Sequence, residues 1–278
     1  MELQLLADKI RELLYEVIQE QLSELENESK LSIGLSGGID STVVAYLLKK
    51  FWKRDLEAFT VHVEGFNSDE RDIDHATRVA NHFNLKHTII NASKNEVLQS
   101  VEPVIKLIIP EGRNLHDYNV YSGIVTYLLG PVIKSAGINV CFGGEGFDEL
   151  SGSYGPSGSF QKTHDEMATV SMRQKLYYNL TQNGYLDRTT NTLGHFGVSA
   201  QSPYINDKFR DLMLSIPDKY FTQTDWKLPL IAAFEKEIPV ALLRRKKVRA
   251  QVGSGVFELL QTEGYNQEKL QNLYLNKA

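Results

Sequence analysis

Short apolar runs alternate with amphipathic segments through the first half of the chain. The apolar runs lie at 31–35, 57–63, 86–91 and 139–143. The segments that repeat apolar residues at helical spacing are 42–52, 69–83, 93–109 and 118–136. Runs of the first kind are short enough for buried strands, and the others predict helices. This alternation predicts an α/β fold with a parallel sheet, helices on both faces, and ligands beyond the carboxyl ends of the strands.

The second half of the chain has a different pattern. From residue 163 onward the periods are helical, strand signals are few, and glycine and proline punctuate the sequence. We therefore expect three parts: an N-terminal helix over 1–30, an α/β domain over 31–160 and a mainly helical subdomain over 161–278. The stretch 152–159 is rich in glycine and serine, so we expect a hinge or a mobile loop there.

Composition sets broad limits on the class of protein. Of the 278 residues, 42% are hydrophobic and 23% are charged, which is ordinary for a globular protein and argues against disorder or a fibrous repeat. The net charge of -5 argues against nucleic acid as the main partner. The lone Cys141 excludes an internal disulfide framework or a multi-cysteine zinc site, and its apolar surroundings predict a buried strand thiol.

Residues 1–27 alternate acids, bases and leucines at helical spacing. They resemble neither a signal peptide nor a membrane span, so we expect a cytoplasmic protein with no membrane partner. This amphipathic helix could pack on its own domain or on a second copy of the chain, which leaves a homo-oligomer open.

The first motif with chemical content is Leu35-Ser36-Gly37-Gly38-Ile39-Asp40-Ser41. It follows a predicted strand and opens a predicted helix, so its glycines let backbone N–H groups approach a phosphate chain at the positive end of the helix. Ser36 and Ser41 can donate hydroxyl hydrogen bonds, and Asp40 suits a Mg²⁺ ion between pyrophosphate oxygens. The alternative is a simple turn with Asp40 or Ser41 as the helix N-cap. The hexapeptide Ser36–Ser41 matches the PP-loop of ATP pyrophosphatases, Ser-Gly-Gly-x-Asp-Ser, and favours ATP as the ligand.

The second motif is Gly143-Gly144-Glu145-Gly146-Phe147-Asp148-Glu149, which also follows an apolar strand. Its carboxylates lie in a flexible glycine frame that surface acids do not require. Asp148 beside Asp40 would complete a two-carboxylate Mg²⁺ site, with waters and phosphates in the other positions. The alternative is a solvated acidic loop.

A basic run, Arg244-Arg245-Lys246-Lys247, is followed by Gly253 and Gly255. The phosphates of a nucleotide would account for this local concentration of positive charge. A solvated basic face is the alternative.

Together these motifs resemble the asparagine synthetase family, whose synthetase domain carries a PP-loop and a later Gly-Glu-Gly-x-Asp-Glu segment. Similar features are Ser68-Asp69-Glu70, His87, Lys227 and Pro239, so the resemblance covers about residues 31–255. It implies the adenine nucleotide alpha-hydrolase-like PP-loop fold, with ATP and Mg²⁺ as cofactors. The implied activity is adenylation of a carboxylate, then transfer of the acyl group to ammonia or another amine, with release of AMP and pyrophosphate.

The resemblance also implies roles for particular residues. Leu35, Val61 and Gly144 would contact adenosine through the backbone, and Asp40 and Asp148 would hold magnesium. Glu145 would help to accept a proton from the attacking amine, which is mostly protonated at neutral pH. Lys247 takes the position of the catalytic lysine, where it would stabilise developing negative charge. The other residues expected at the ATP site are Ser36, Gly37, Gly38, Ser41 and Gly143.

The chain departs from the family pattern in two places. Where the family has Glu-x-Arg-x-Pro-Phe, this sequence reads Ser199-Ala200-Gln201-Ser202-Pro203-Tyr204, so both charges are missing. Residue 2 is Glu2 rather than the cysteine nucleophile of a glutaminase domain. We therefore expect the amine to be free ammonia, ammonia from a separate glutaminase or other ammonia-supplying subunit, or an amino group on another molecule.

Two rival functions remain open from the sequence. One is another PP-loop chemistry such as tRNA thiolation, which normally relies on paired cysteines and a basic RNA surface. The other is a nucleotide-binding scaffold that has lost catalysis, suggested by the uncharged residues before Pro203. Candidate substrate contacts are Arg113, Asp117, Tyr118 and Asn119, which could equally be ordinary loop residues.

Overall fold

A parallel sheet forms the centre of the molecule. The computed structural model describes residues 2–66, 71–108, 116–153, 168–222, 225–245 and 248–275. The strands are β1 (Lys30–Gly34), β2 (Asp55–Val63), β3 (Lys86–Ala92), β4 (Val140–Phe142) and β5 (Ser199–Gln201). Their order in the sheet is β3-β2-β1-β4-β5, and every neighbouring pair is parallel. The predicted α/β class is confirmed.

Helices connect and cover the strands. In the first half they are α1 (Glu2–Ser23), α2 (Ile39–Phe51), α3 (Asp72–His82), α4 (Lys94–Ile108), α5 (Asp117–Ser135) and the short α6 (Phe147–Ser151). In the second half they are α7 (Val170–Gln182), α8 (Asp187–Gly194), α9 (Asp207–Ser215), α10 (Leu228–Phe234), α11 (Val240–Leu243), α12 (Ala250–Gly253), α13 (Val256–Thr262) and α14 (Gln267–Leu275). None of the helices in the described ranges is long and apolar enough to cross a membrane.

Some predicted features fall outside the described residues. They are Ser68-Asp69-Glu70, the loop at 110–113, Lys246 and Lys247, and all but the first two residues of the stretch 152–159. The expected hinge or mobile loop therefore stays a prediction. The boundary expected at residue 160 also lies there, so the three-part division of the chain stays a prediction too.

Strand β5 comes from the half of the chain that the sequence pattern marks as helical. It pairs with β4, placing Ser199 opposite Val140 and Gln201 opposite Phe142. Three residues, Ser-Ala-Gln, are too short and too polar to show strand alternation, so the strand depends on the free edge of β4. As a result, the residues that follow β5 lie beside the loop that follows β4.

Two apolar layers enclose the sheet. One layer contains buried residues of α1, α2, α3, α9 and α10, and the other contains buried residues of α4, α5 and α13. Phe59, Val61 and Val63 share the second layer, as their alternation along β2 predicts. Cys141 lies in that layer too and is 3% exposed. The predicted buried strand thiol is confirmed.

Helix α1 packs on helices of its own chain. Ile10, Leu14 and Ile18 are fully buried in the layer that also contains α10. Beside this contact, the hydroxyls of Tyr15 and Tyr46 donate to the Glu237 carboxylate. The ammonium of Lys50 lies 3.4 Å from the same carboxylate. Polar and apolar contacts thus fix α1 against α2 and the turn after α10.

Candidate active site

The PP-loop joins β1 to α2 at the carboxyl end of the sheet. Leu35 prolongs the strand, because its N–H donates to the Phe59 carbonyl at 2.9 Å and its own carbonyl accepts from Thr60 Oγ1 at 2.6 Å. Gly37 then adopts a left-handed conformation with φ of 71°. A Cβ at Gly37 would lie 2.5 Å from the Ala76 nitrogen. Both the turn and its close approach to α3 therefore require glycine.

Hydroxyl groups stabilise the loop from within. Ser36 Oγ accepts the Gly38 N–H at 3.2 Å and lies 3.2 Å from Ser41 Oγ. Ser41 Oγ donates to the Gly38 carbonyl at 3.1 Å. Gly38 is the N-cap of α2 and no side chain caps the helix, so the interpretation of Asp40 or Ser41 as N-cap is wrong. The first turn of α2 presents its backbone N–H groups beside the loop.

The second glycine turn packs directly on the first. Gly143 and Gly144 follow β4, and the Gly143 N–H donates to the Gln201 carbonyl at 2.9 Å. A Cβ at Gly144 would lie 2.8 Å from Asp40 Cβ and 3.0 Å from the Ser41 nitrogen. Absence of a side chain at Gly144 is what allows the two turns to meet.

Asp40 and Asp148 converge on one positive charge, the ammonium of Lys227. Lys227 Nζ donates to both oxygens of Asp40 at 2.6 Å and to Asp148 Oδ1 at 2.5 Å. The lysine side chain is only 10% exposed. Burial alone would lower the pKa of Lys227, but the charges of Asp148 and Asp40 and their hydrogen bonds outweigh burial and raise it. Lys227 therefore carries its charge in a buried ion pair with both aspartates.

The donor set at this point fits a magnesium ion. Two carboxylates aimed at one cationic centre are hard oxygen ligands, and Mg²⁺ commonly binds to one or two carboxylates together with waters and phosphates. Among the described residues no group of three or more His, Cys, Asp or Glu side chains is placed to hold a metal. A magnesium ion here would depend on Asp40 and Asp148, with ligand oxygens completing its shell.

Glu145 is held in place at three points. Arg188 Nη2 donates to one carboxylate oxygen at 2.8 Å, and Thr189 Oγ1 donates to the other at 3.2 Å. Ser202 Oγ donates to the backbone carbonyl of Glu145 at 2.7 Å. Burial raises the pKa of the nearby Glu149 to about 7. The positive charge of Arg188 opposes this rise, and the negative charges of Asp148 and Glu145 add to it.

Arg245 ties the basic run to the PP-loop. Its Nη1 donates to the Ser36 carbonyl at 2.5 Å, and its Nη2 lies 2.8 Å from Asp72 Oδ1. Both side chains of this ion pair are 4% exposed, so a solvated basic face does not describe Arg245. Arg244, by contrast, is 48% exposed and pairs with Asp225. Lys247 lies outside the described residues, and its catalytic role stays a prediction.

A cleft of about 1350 Å³ opens above the two turns. Ligand sites for one small molecule usually measure about 300–1,000 Å³, so this cleft has space for more than one. The predicted site residues that line it are Leu35, Ser36, Gly38, Asp40, Ser41, Val61, Gly143, Gly144, Glu145 and Asp148. Gly37 instead packs against the start of α3.

The candidate substrate contacts divide into three groups. Tyr118 and Asn119 line the cleft, and Asn119 Oδ1 accepts from Arg188 at 3.3 Å. Asp117 has a structural role at the start of α5, where it accepts the Tyr118 N–H at 2.7 Å. Arg113 lies outside the described residues.

Several side chains at the site have no local sequence signal. Arg188, Thr189 and Ser202 reach Glu145 from the second half of the chain. The sequence indicates Lys227 only through its resemblance to a family lysine. That resemblance does not predict its position between Asp40 and Asp148. A search for cations able to balance the two aspartates could have suggested it.

The fold and the site define an α/β protein whose central strand, β1, is followed by a glycine loop typical of nucleotide-binding proteins. The asparagine synthase family model matches residues 9–179 and 157–274. The chain belongs to the asparagine synthase family.

Comparison with known proteins gives relatives of the same kind. Asparagine synthetase B [glutamine-hydrolyzing] of Escherichia coli K12 is 25% identical over 255 residues, which are 84% of this chain and 43% of that protein. Asparagine synthetase [glutamine-hydrolyzing] 2 of Lotus japonicus is 24% identical over 258 residues, or 84% of this chain and 41% of that protein. The chain thus spans about two-fifths of the length of these curated relatives.

Solved structures show more distant similarity. The U34-tRNA thiolase NcsA of Methanococcus maripaludis, solved with its [4Fe-4S] cluster, aligns with 98% of this chain and 79% of its own at 16% identity and a TM-score of 0.45. The NH3-dependent NAD synthetase of Campylobacter jejuni aligns with 93% of this chain and 95% of its own at 16% identity and a TM-score of 0.40. Similarity at this level does not bear on function.

Proposed function

We propose that the chain is an ATP-dependent amide synthetase of the AMP-forming kind. It would adenylate a carboxylate, release pyrophosphate, and pass the acyl group to ammonia or another amine with release of AMP. Membership of the asparagine synthase family supports a ligase that uses ATP. The observation that carries the proposal is the convergence of Asp40 and Asp148 on one cationic centre beside the PP-loop.

The nucleotide would lie across the two glycine turns. Backbone groups of Leu35, Val61 and Gly144 would contact adenosine, and the phosphates would lie against the first turn of α2. N–H groups at a helix N-terminus favour such an anion. Asp40 and Asp148 would hold magnesium, which supplies charge neutralisation of the phosphates when it is bound.

The acyl transfer would depend on Glu145 and Lys247. Glu145 lies on the loop after β4, where its carboxylate can accept a proton that the attacking amine must lose. Lys247 would stabilise negative charge on the reacting groups, as the basic run before it and its position in the sequence suggest. Adenylation is useful because carboxylate oxygen is otherwise a poor leaving group.

The identity of the attacking amine is also part of the proposal. Both curated relatives are named as glutamine-hydrolyzing, and this chain matches only about two-fifths of each. We propose that ammonia, free or delivered by a separate glutaminase, or an amino group of a second substrate attacks the activated acyl group. A homo-oligomer and a cytoplasmic location stay predictions.

The two rival functions receive less support. Sulfur transfer needs a reactive thiolate, but burial raises the pKa of Cys141 to about 11. A scaffold without catalysis was suggested by the uncharged Ser199 and Gln201. Residue 201 lacks the arginine of the family pattern, but Arg188 supplies a guanidinium to Glu145. This contact argues against a loss of catalysis.

Pyrophosphate release from ATP and Mg²⁺ tests the proposal. We would measure it across a panel of carboxylates, with and without ammonia, for the wild type, Asp148→Ala and the surface control Asp211→Ala. Carboxylate-dependent release that Asp148→Ala abolishes and Asp211→Ala retains is the expected result. ADP as the nucleotide product, or ATP binding with no turnover on any acid, would overturn it.

A further inference from the structure

Glu145 is fixed by a pair of consecutive residues at the start of α8. Arg188 and Thr189 each donate to a different oxygen of its carboxylate, at 2.8 and 3.2 Å. The Arg188 side chain is 15% exposed and that of Glu145 is 28% exposed. An ion pair that is mostly screened from water and reinforced by a hydroxyl holds a carboxylate in one orientation.

Three acids crowd this part of the cleft. Asp148 and Glu149 lie on α6, directly after the loop that carries Glu145, and the charges of Asp148 and Glu145 both act on Glu149. Lys227 balances Asp148 on the nucleotide side. Arg188 contacts Glu145 and its charge also acts on Glu149. Without that guanidinium, repulsion from the two other carboxylates would turn the Glu145 carboxylate toward solvent.

The start of α8 is a rigid support for these donors. Thr126 on α5 donates to the Arg188 carbonyl at 2.7 Å and lies 2.7 Å from the Thr192 hydroxyl. Arg188 Nη1 also donates to Asn119 at the start of α5, at 3.3 Å. The backbone of Arg188 and its guanidinium are therefore both anchored to α5. Such support keeps a functional group within a narrow range of positions.

We propose that Arg188, aided by Thr189, is a positioning residue that aims the Glu145 carboxylate at the amine in the acyl-transfer step. This inference rests on the proposed function. In that step the nitrogen lone pair forms the bond to the acyl carbon, and the bond from that carbon to the AMP oxygen breaks with its electron pair on oxygen. Glu145 takes the proton that nitrogen loses. Arg188 touches none of the reacting atoms and acts only through Glu145.

A comparison of two nucleophiles distinguishes a positioning role of Arg188 from a purely structural role. Ammonia is mostly protonated at neutral pH and must lose a proton before it can attack. Hydroxylamine is largely unprotonated there and depends much less on a proton acceptor. A misdirected Glu145 should therefore harm the reaction with ammonia and spare hydroxamate formation, whereas a damaged cleft should harm both.

The experiment compares Arg188→Gln, Arg188→Lys and the matched surface control Arg210→Gln with the wild type. The acid is whichever carboxylate supports pyrophosphate release by the wild type, and the amine is ammonium chloride or hydroxylamine. We expect Arg188→Gln to lose about 100-fold in amide formation from ammonia while hydroxamate formation stays within about threefold, as for loss of a general base. Arg188→Lys, which keeps the charge, should recover part of the loss.

Equal losses with both nucleophiles, or no loss with either, would overturn the inference. A crystal structure of Arg188→Gln adds a measurement that needs no substrate. There we expect the Glu145 carboxylate to have left Thr189, and a carboxylate still held by Thr189 would also overturn the inference. Absence of carboxylate-dependent pyrophosphate release by the wild type would instead refute the proposed function, and the crystal structure alone would then decide the positioning claim.

Discussion

Lys227 and Asp40 form a buried ion pair in which one ammonium contacts both oxygens of one carboxylate at 2.6 Å. The pair joins the end of the loop before α10 to the first turn of α2, and Asp148 completes it from the loop after β4. Lys227 therefore balances the negative charge of the two aspartates.

Replacing Lys227 should destabilise the ligand-free protein. In Lys227→Met the two aspartates would lose a buried cation, and breaking a buried pair costs about 3–5 kcal/mol. Urea unfolding should show this loss, and added Mg²⁺ should restore part of it by supplying positive charge. Lys219→Met, which removes a surface pair with Glu2, should change little. An unfolding curve for Lys227→Met that matches the wild type would contradict the buried ion pair.

A methyl group at Gly144 should separate the two glycine turns. The new Cβ would lie 2.8 Å from Asp40 Cβ, and overpacking of this kind costs about 1–3 kcal/mol. We expect Gly144→Ala to weaken binding of a non-hydrolysable ATP analogue by about tenfold in calorimetric titration, the equivalent of about 1.4 kcal/mol. Gly194→Ala adds a methyl group in open space and should bind normally. Equal affinities for both variants would show that the turns can part without harm.

Loss of Arg245 should loosen the PP-loop. Arg245→Gln removes a buried ion pair with Asp72 and weakens the contact with the Ser36 carbonyl. The free energy of unfolding should fall by about 3 kcal/mol, because the variant loses one buried ion pair. Arg244→Gln, at the exposed neighbouring position, should lose much less in the same denaturant titration. Similar losses for the two variants would count against the buried pair as the cause.

Glu237 should make stability depend on pH in the acid range. Burial alone would raise the pKa of Glu237, but hydrogen bonds from Tyr15 and Tyr46 and the charge of Lys50 outweigh burial and lower it below 4.5. A lowered folded-state pKa stabilises the protein above the unfolded-state value, and this stabilisation disappears as pH falls through the folded-state value. We therefore expect the difference between wild type and Glu237→Gln to be full above the unfolded-state pKa of about 4.3. It should shrink as pH falls below that value and through the lowered folded-state pKa of Glu237.

Unfolding free energies measured from about pH 3 to pH 8 would check this, since the range spans the ordinary carboxylate values. Glu235→Gln, at an exposed position two residues earlier, controls for loss of a carboxylate in general. A constant gap between wild type and Glu237→Gln across the whole range would contradict the prediction.

The sequence predicted the parts of the site that local chemistry defines. Asp40 and Asp148 each lie in a glycine frame directly after an apolar strand, and parallel strands bring such loops to one edge of the sheet. That reasoning placed both aspartates in one site, and they share one ammonium in the structure. The strand and helix positions of the first half were likewise predicted to within a few residues, because their periodicity is strong.

Residues that reach the site through tertiary packing escaped prediction. Arg188 is an ordinary arginine near the start of a short polar helix, and only the packing of α8 on α5 brings it to Glu145. Strand β5 was missed for a similar reason, since its residues extend only where β4 offers hydrogen bonds. Such positions depend on contacts across the whole chain, which a local pattern cannot contain.

The packing of α1 beside α10 has a consequence for the time course of synthesis. Helix α1 ends at Ser23 and α10 begins at Leu228, so the intervening stretch takes on the order of 10–40 s to translate at about 5–20 residues per second. Until then, the apolar side of α1 around Leu14 lacks one of the helices that bury it. The apolar side of α1 therefore stays partly uncovered during that interval, and the core on this side of the sheet can close only after α10 has been synthesised.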